Sequence, residues 1–591
     1  MRLIDEIKRR RLAQGIIAYA VAGWLLIQLA IALESSLELP SYVDRWVTIA
    51  VIAGFPVGVL LSWFFDISLS GISLTKDKAR IPDGPEDLAF ARPSEPAPEY
   101  SIAVLPFADM SPDKDQEYLG DGIAEEILNA LVKVTALRVT GRTSSFSYKG
   151  SDADISQIGN ELNVAHVLEG SVRKQANRVR ITAQLIQVSD GFHSWSETFD
   201  GDLSDVFDLQ DEIAKKIVDQ LEVLLDGEGA RLASSLTSNQ DAYDTFLRGR
   251  AFYQKLVGEE TLPQAIKHLE QAVQLDPEFH EAWALLALCQ LSLPEHAASE
   301  DPADYYAAAQ SAIARAQKIN PNAAIVVRAN ALLLTTKGDF FGAIQAFERA
   351  YELTPNDPAA SIGFGSYLTS VGLTEKAIAL LEKSVASDPS APFNYMNLGS
   401  AHYIEEDFPM AIQYYKRANQ LGYVPARLNL ALIEADRGRI GEAYAWMRNY
   451  IKVAPPWFKS LLKSPIARRI YYAAVLKRNP IAVKLVGRAS LARISKPGYN
   501  PTIWDAYTLG IFCDPPHYFR VVRRMRTGYA YSALLILFYP TETARGLLHH
   551  EEFPQFAEDI GLIRIWQTYG WPAQVQPKSG TDGSDLQIVI V

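Results

Sequence analysis

Residues 343–355 read AIQAFERAYELTP, and residues 377–389 read AIALLEKSVASDP. The two segments start 34 residues apart, and each ends in a proline, Pro355 and Pro389. An alanine opens each, Ala343 and Ala377, and a second small residue follows seven positions on, Ala350 and Ser384. Proline lacks an amide hydrogen and clashes with the preceding turn, so it closes a helix. Small residues at constant helical offsets let the next helix approach closely. The pattern extends to Ala265, Ala272 and Pro277, to Ala309, Ala316 and Pro321, to Ala411 and Ala418, and to Ala443 with Pro455. Such a period marks a two-helix unit that buries its apolar face only by stacking on further copies of itself.

These segments, with AIKHLEQAVQLDP at 265–277, resemble the second helix of the tetratricopeptide repeat; Leu398-Gly399 and Tyr403 fit its first helix. The resemblance implies an array over 240–455, with degenerate helical repeats and a C-terminal cap over 456–570 and a tail at 571–591. Phe553-Pro554-Gln555-Phe556, Ile560-Gly561-Leu562 and Trp566 are expected to form the cap, because an array needs atypical ends to close its core. Stacked hairpins leave a concave surface lined by first helices, suited to an extended peptide or a partner helix. Asn394, Asn397, His402 and Asn429 are the candidate peptide-binding residues on that face. The competing expectation is that they are solvated or make contacts within the repeats.

Upstream the pattern changes. Ser101–Phe107, SIAVLPF, reads as a buried strand, and IAEEILNALVKV after Gly120-Asp121-Gly122 reads as a helix with Asp121 as its N-cap. A strand at Ala136–Thr140 and a helix at Asp154–Leu162 follow. Three more strands, Ala165–Lys174, Val179–Val188 and His193–Phe199, lead to a closing helix, Leu203–Leu225. The second of the three alternates apolar with polar residues, as a half-buried antiparallel strand does, and Asn177 is expected at the turn before it. The runs SIAVLPFADMS, YLGDGIAEEILNAL, LNVAHVLEGSVRKQANRVRITAQLI and HSWSETFDGDLSDVFDLQDEIAKKI resemble the TolB amino-terminal-like (FlgO-like) domain of bacterial signalling proteins. The resemblance covers about 100–225 and implies a small α/β domain over 100–228. In that family the domain often stands between an effector, such as an adenylate cyclase, a kinase or a DNA-binding domain, and a tetratricopeptide array. Ahead of residue 100 only apolar spans and a linker are expected, so no effector is expected here.

Leu12–Leu33 and Trp46–Phe65 are uncharged runs of about the length a helix needs to cross a bilayer. They predict a membrane anchor over 1–67 with two transmembrane helices, kinked in the second at Pro56. Lys8, Arg9, Arg10 and Arg11 precede the first span and Lys76, Lys78 and Arg80 follow the second, so the positive-inside rule places both ends in the cytoplasm. A proline-rich linker, 68–99, is expected to hold the α/β domain off the membrane. The fold class is therefore multi-domain: a membrane helical hairpin, a small α/β domain and an all-α tetratricopeptide-type solenoid, in the bacterial inner membrane, multi-pass, with the soluble domains in the cytoplasm.

The net charge of −12 argues against nucleic acid as a partner. No phosphate-binding loop occurs, and Ser460-Leu461-Leu462-Lys463 lacks its companion motifs. Asp202, Asp205, Asp208 and Asp211 lack calcium-loop spacing, and their place at a helix start suits the helix dipole. No cofactor, metal or catalytic residue is expected. The function expected is a membrane-tethered, non-catalytic adaptor or scaffold that binds protein partners, with the lipid bilayer held through the N-terminal hairpin. The alternative is a regulatory or sensory subunit of a separately encoded effector enzyme, such as an adenylate cyclase or kinase.

Overall fold

The computed structural model describes residues 65–68, 71–74 and, from 97 to 590, all but 203–205, 222–236, 255–260, 297–301, 454–461, 496–502, 578–587 and isolated positions at 135, 177, 478, 512, 513, 526, 528 and 529. The chain divides into two compact units, Met1–Asp87 and Leu88–Val591.

In the first unit, β1 (Phe65–Ser68) and β2 (Gly71–Leu74) form an antiparallel hairpin, Phe65 opposite Leu74. This corrects the expected membrane hairpin. No helix of the described residues is long and apolar enough to cross a membrane. Residues 12–33 and 46–64 lie outside the described residues, and Phe65, read as the last residue of a span, is the first of a strand. FDIS and GISL alternate apolar with polar residues, the spacing of a strand. The multi-pass inner-membrane location and the bilayer as partner rested on those spans and fall with them. The expected linker at 68–99 lies largely outside the described residues.

The second unit opens with a mixed sheet, strand order β5-β3-β6-β7-β8. Here β3 is Ser101–Val104, β5 Arg138–Val139, β6 His166–Gln175, β7 Arg178–Gln187 and β8 His193–Asp202; β4 (Ala108–Asp109) pairs with β6. Strand β3 runs parallel to β5 and β6, whereas β6, β7 and β8 form an antiparallel meander. A register shift lies between Leu185 and Ile186, which lets two successive side chains of β7 both be buried. Helices α1 (Glu117–Val132), α2 (Arg142–Phe146), α3 (Ile155–Leu162) and α4 (Val206–Gln220) cover the sheet. Ile158 and Leu162 of α3 pack on Ala103, Leu105 and Val167, while α1 and α4 pack on each other.

Helix α1 starts at Glu117, earlier than expected, so Asp121 is not its N-cap; Lys149 Nζ donates to its carboxylate at 2.6 Å. Gly120 and Gly122 are helical, and their role is space. A Cβ on Gly120 would stand 2.5 Å from the Phe107 carbonyl oxygen, and one on Gly122 would stand 2.7 Å from the Leu247 side chain. Asn177 lies outside the described residues, and Ala176 beside it adopts φ +53°.

Seven antiparallel helical hairpins follow among the described residues: Gln240–Gln254 with Thr261–Leu275, His280–His296 with Pro302–Ile319, Ala324–Thr336 with Phe340–Leu353, Pro358–Ser370 with Thr374–Ser387, Pro392–Ile404 with Phe408–Gln420, Ala426–Asp436 with Ile440–Val453, and Pro465–Lys477 with Pro480–Ile494. The boundary prolines Pro277, Pro321, Pro355 and Pro389 stand just past the ends of the second helices. Gly399 shows why the small positions recur: a Cβ there would lie 2.8 Å from the Tyr415 ring of its partner helix. Aspartates cap three of these helices, Asp339 accepting from Gly342 N, Asp357 from Ala359 N and Asp407 from Met410 N.

The first hairpin joins the α/β domain through buried charge. Arg250 donates through Nη1 to Glu126 and lies 3.6 Å from Glu125, which also accepts from Arg142 at 3.0 Å and Gln254 at 2.7 Å. Burial pushes the Glu125 carboxyl up, but the Arg250 and Arg142 charges overcome it and hold its pKa below the ordinary value. Cutting out one partner strands the others, so Arg250→Ala is expected to cost about 3–5 kcal/mol. Denaturant unfolding checks this, with Arg248→Ala, whose side chain is half exposed, costing under about 1 kcal/mol as the control.

Candidate interaction surface

The first helices of hairpins four to six carry an aromatic and apolar inner surface: Tyr367 and Phe364, then Tyr403, then Leu432, all buried. Left open, this would be a peptide groove. It is filled by the chain itself. Beyond the seventh hairpin, Ile503–Ile511, Pro515–Arg524, the short helices between Ala530 and Leu548, Phe553–Asp559 and Leu562–Tyr569 form a block that returns to the middle of the array. Tyr531 stacks on Tyr367 with ring centroids 4.7 Å apart, and Tyr539 lies 4.8 Å from Tyr403. Trp566 Nε1 donates to the Val371 carbonyl at 2.9 Å, and the Tyr569 hydroxyl donates to Glu348 at 2.6 Å. The Arg564 guanidinium covers the Phe341 ring at 3.9 Å. Between Tyr403, Leu432, Tyr507, Ile536 and Tyr539 remains a cavity of about 20 Å³, room for a single water. Phe553, Phe556, Ile560, Leu562 and Trp566, read as an end cap, are buried in this block. The block packs on the second helix of the seventh hairpin through Ile503–Ile511 and runs back along the array, its last helix, Leu562–Tyr569, reaching the third and fourth hairpins.

The α/β domain occupies the other ends of the same helices. Asp388, just before the fifth hairpin, accepts from Ser144 N at 2.7 Å and Ser144 Oγ at 2.5 Å. Gly141 N donates to Ser387 O, Arg138 Nη2 to Ala386 O, and Asn356 Nδ2 to Val134 O. Burial raises the Asp388 carboxyl, with the Ser144 donors pulling the other way. The fourth and fifth hairpins are thus held at the amino-terminal ends of their first helices by the α/β domain, and at the carboxyl-terminal ends by the C-terminal block.

Asn394, Asn397 and Asn429 are buried, and their amides are turned inward. Asn394 donates to Ser384 O at 3.1 Å and Asp388 O at 3.3 Å, Asn397 donates to Phe393 O at 2.9 Å, and Asn429 reaches Met396 Sδ at 3.8 Å. His402 is half-buried, its Nδ1 3.5 Å from Asp407 and its ring 5.2 Å from Tyr414. The four do not form one open cluster. What periodicity missed is that the groove is occupied; the signal available was the aromatic content of 503–571, too rich for a simple cap.

A second concavity, about 300 Å³, opens where the α/β domain meets the first hairpin, lined by Tyr118, Arg248, Ala251, Phe252 and His268. Arg248 stacks on the Tyr118 ring at 4.5 Å, donates to its hydroxyl at 2.9 Å and pairs with Asp244. Phe252 and His268 stack at 5.6 Å, and burial lowers the His268 pKa, with Arg248 and Lys267 adding to the shift.

Residues 98–216 match the HilA/YgeH-like transcriptional regulator, second domain, family, and residues 256–312 and 303–358 match the tetratricopeptide repeat family. The repeat array is a protein–protein interaction module, as that family match indicates. The description matched over the α/β domain differs from the TolB-like one expected. A curated relative, "Putative adenylate cyclase 3" of Rhizobium meliloti (strain 1021), is 42% identical over 218 residues. The match covers 37% of this chain and 36% of the relative's length. Similar solved structures include PilW, a type IV pilus biogenesis factor (TM-score 0.31, 18% identity, 38% of this chain and 99% of that one). YrrB, a tetratricopeptide protein with an unusual peptide-binding site, is another (TM-score 0.22, 18% identity, 31% of this chain and 87% of that one). These scores are too low for any inference about binding.

Trp566→Ala should destabilise the block by about 3–5 kcal/mol and open the array to limited proteolysis near Val371, since a buried indole and its hydrogen bond are lost together. A second expectation concerns Glu281, at the start of the second hairpin, whose Oε2 makes no hydrogen bond. Burial, then the Glu126 charge, pushes its carboxyl up to about 8. The folded chain therefore keeps a proton that the unfolded chain releases, and stability falls as pH rises from the ordinary 4.5 to about 8. Glu281→Gln should shrink the loss of melting temperature between about pH 5 and about pH 9.

Proposed function

We propose that this chain is a non-catalytic adaptor or scaffold that gathers protein partners on the outer surfaces of its repeat array, with the α/β domain as a second docking or sensing module. The observation that supports it is the stack of helical hairpins whose first copies match the tetratricopeptide family. The inner-groove mode of peptide binding does not suit this chain, because its own C-terminal block fills the space. Outer helix faces remain, such as that of Thr374–Ser387, where Glu382 and Lys383 are exposed.

A second reading is favoured by the relative of Rhizobium meliloti: a regulatory or sensory subunit of an effector such as an adenylate cyclase or kinase. On this reading the α/β domain, which resembles the TolB-like domains of signalling proteins, transmits a state to the effector.

Photo-crosslinking from the purified full chain separates these readings. A crosslinker at Glu382 is expected to capture partners that one at Phe192, a bare aromatic of the α/β domain with 73% of its surface exposed, does not. Capture from Phe192 alone would reject the array as the docking platform. Capture of a cyclase or kinase, with its turnover altered by added chain, would select the second reading. Cyclic nucleotide formed from Mg-ATP by the purified chain itself would reject both.

A further inference from the structure

Between Glu442 and Asp505 the chain carries twelve lysines and arginines and no acidic residue, within a protein whose net charge is −12. The stretch contains the seventh hairpin, Pro465–Lys477 with Pro480–Ile494. With no carboxylate of its own, the hairpin cannot neutralise its cations locally, and like charges at helical spacing repel one another. A repeat serving only to extend the stack gains nothing from this composition.

The same hairpin bares its aliphatic side chains. Ile481 is 72% exposed, Leu485 47%, and Ile466 on the companion helix 69%. Helix Pro480–Ile494 sorts by face. Ala482, Ser490 and Ile494 are buried. Ile481, Lys484, Leu485 and Arg488 are exposed, and their spacing of three and four places them on one stripe. Two aliphatic side chains one turn apart are thus bordered by two cations one turn apart. A narrow apolar seam edged by charge of one sign is half of a helix–helix contact, completed by a helix with its own apolar seam and opposite charges on its borders.

We propose that this stripe is a docking surface for an acidic amphipathic helix of a partner protein. The inference rests on the adaptor reading and gives the partner's chemistry. Charge complementarity fixes the sign of the occupant, and the bare Ile481 and Leu485 fix its kind. A nucleic acid would engage the cations but leave both aliphatic side chains against sugar and phosphate, where they contribute little to a contact dominated by counterion release. A bilayer surface calls for a broad apolar face with bulky anchors, and the stripe is only two side chains wide. A partner helix uses both features at once, its glutamates or aspartates meeting Lys484 and Arg488 while its leucines cover Ile481 and Leu485.

The test uses the purified full chain and three fluorescent probes: an acidic helical peptide with leucines one turn apart between glutamate borders, a duplex DNA, and phosphatidylglycerol-containing vesicles. Saturable peptide binding is expected. It should weaken by about ten-fold or more in Lys484→Glu/Arg488→Glu and, separately, in Ile481→Ser/Leu485→Ser, with thermal melting unchanged in both because the four side chains are exposed. No saturable peptide binding overturns the proposal. So does DNA or vesicle binding that exceeds peptide binding and is indifferent to Ile481→Ser/Leu485→Ser. A chain that fails here yet still yields crosslinked partners from Glu382 loses the acidic-helix stripe but keeps the adaptor reading.

Discussion

The constraint on which this structure turns is that an apolar inner wall on a helical array cannot be left in water. Tyr367, Phe364, Tyr403 and Leu432 line that wall, and each large aromatic offers ~150–250 Å² of surface to be buried. At about 25 cal/mol per Å², covering one such ring yields roughly 4–6 kcal/mol before ordering costs. Tyr531, Phe538, Tyr539 and Trp566 all bury themselves against or beside that wall. A free peptide making the same contacts must also give up its translational and rotational freedom, which the attached block does not. The covalently attached block therefore wins the groove, and it behaves as part of the fold instead of as a removable plug.

The repeats themselves were readable because one physical requirement recurs at fixed spacing. Ala343, Ala377 and Ala411 are small so that paired helices can touch, and Pro355 and Pro389 stop a helix where the chain must turn; neither demand depends on anything distant. The α/β strands were readable for the same reason, since Val179, Ile181, Ala183 and Leu185 need only the sheet beneath them. What stayed hidden was non-local. Gly120 and Gly122 look like a turn in sequence, yet the need for them comes from the Phe107 carbonyl and the Leu247 side chain. Asn394 and Asn397 sit at positions where repeats often present amides to a ligand, but the carbonyls they meet belong to their own array. The expected span ending at Phe65 failed in another way: Phe65 opens a hairpin strand, and hydrophobicity alone does not report the alternation of Phe65–Ser68.

Electrostatics divides the molecule in a way that packing does not. Where the α/β domain meets the array, charge is buried and matched: Arg250 against Glu125 and Glu126, Asp388 against the donors of Ser144. Such contacts are costly to form and costlier to break, and they fix one arrangement of the two parts. At the seventh hairpin the charge is exposed and of one sign. Exposed like charges contribute little to holding a fold together, but they govern what approaches it and from which side.

The two regimes together locate recognition on this chain. Among the described residues, the inward-facing apolar surface of the fourth and fifth hairpins is claimed, at one set of helix ends by the α/β domain and at the other by the C-terminal block. Selection for binding can then act on outer helix faces and on the terminal hairpin, where a side chain can change without opening a void. Ile466, Ile481 and Leu485 lie in that permissive zone and are still aliphatic. Each exposes apolar surface that a serine or glutamate in its place would remove at no cost to packing, so the fold alone gives no reason for them, whereas an external helix laid along the stripe does.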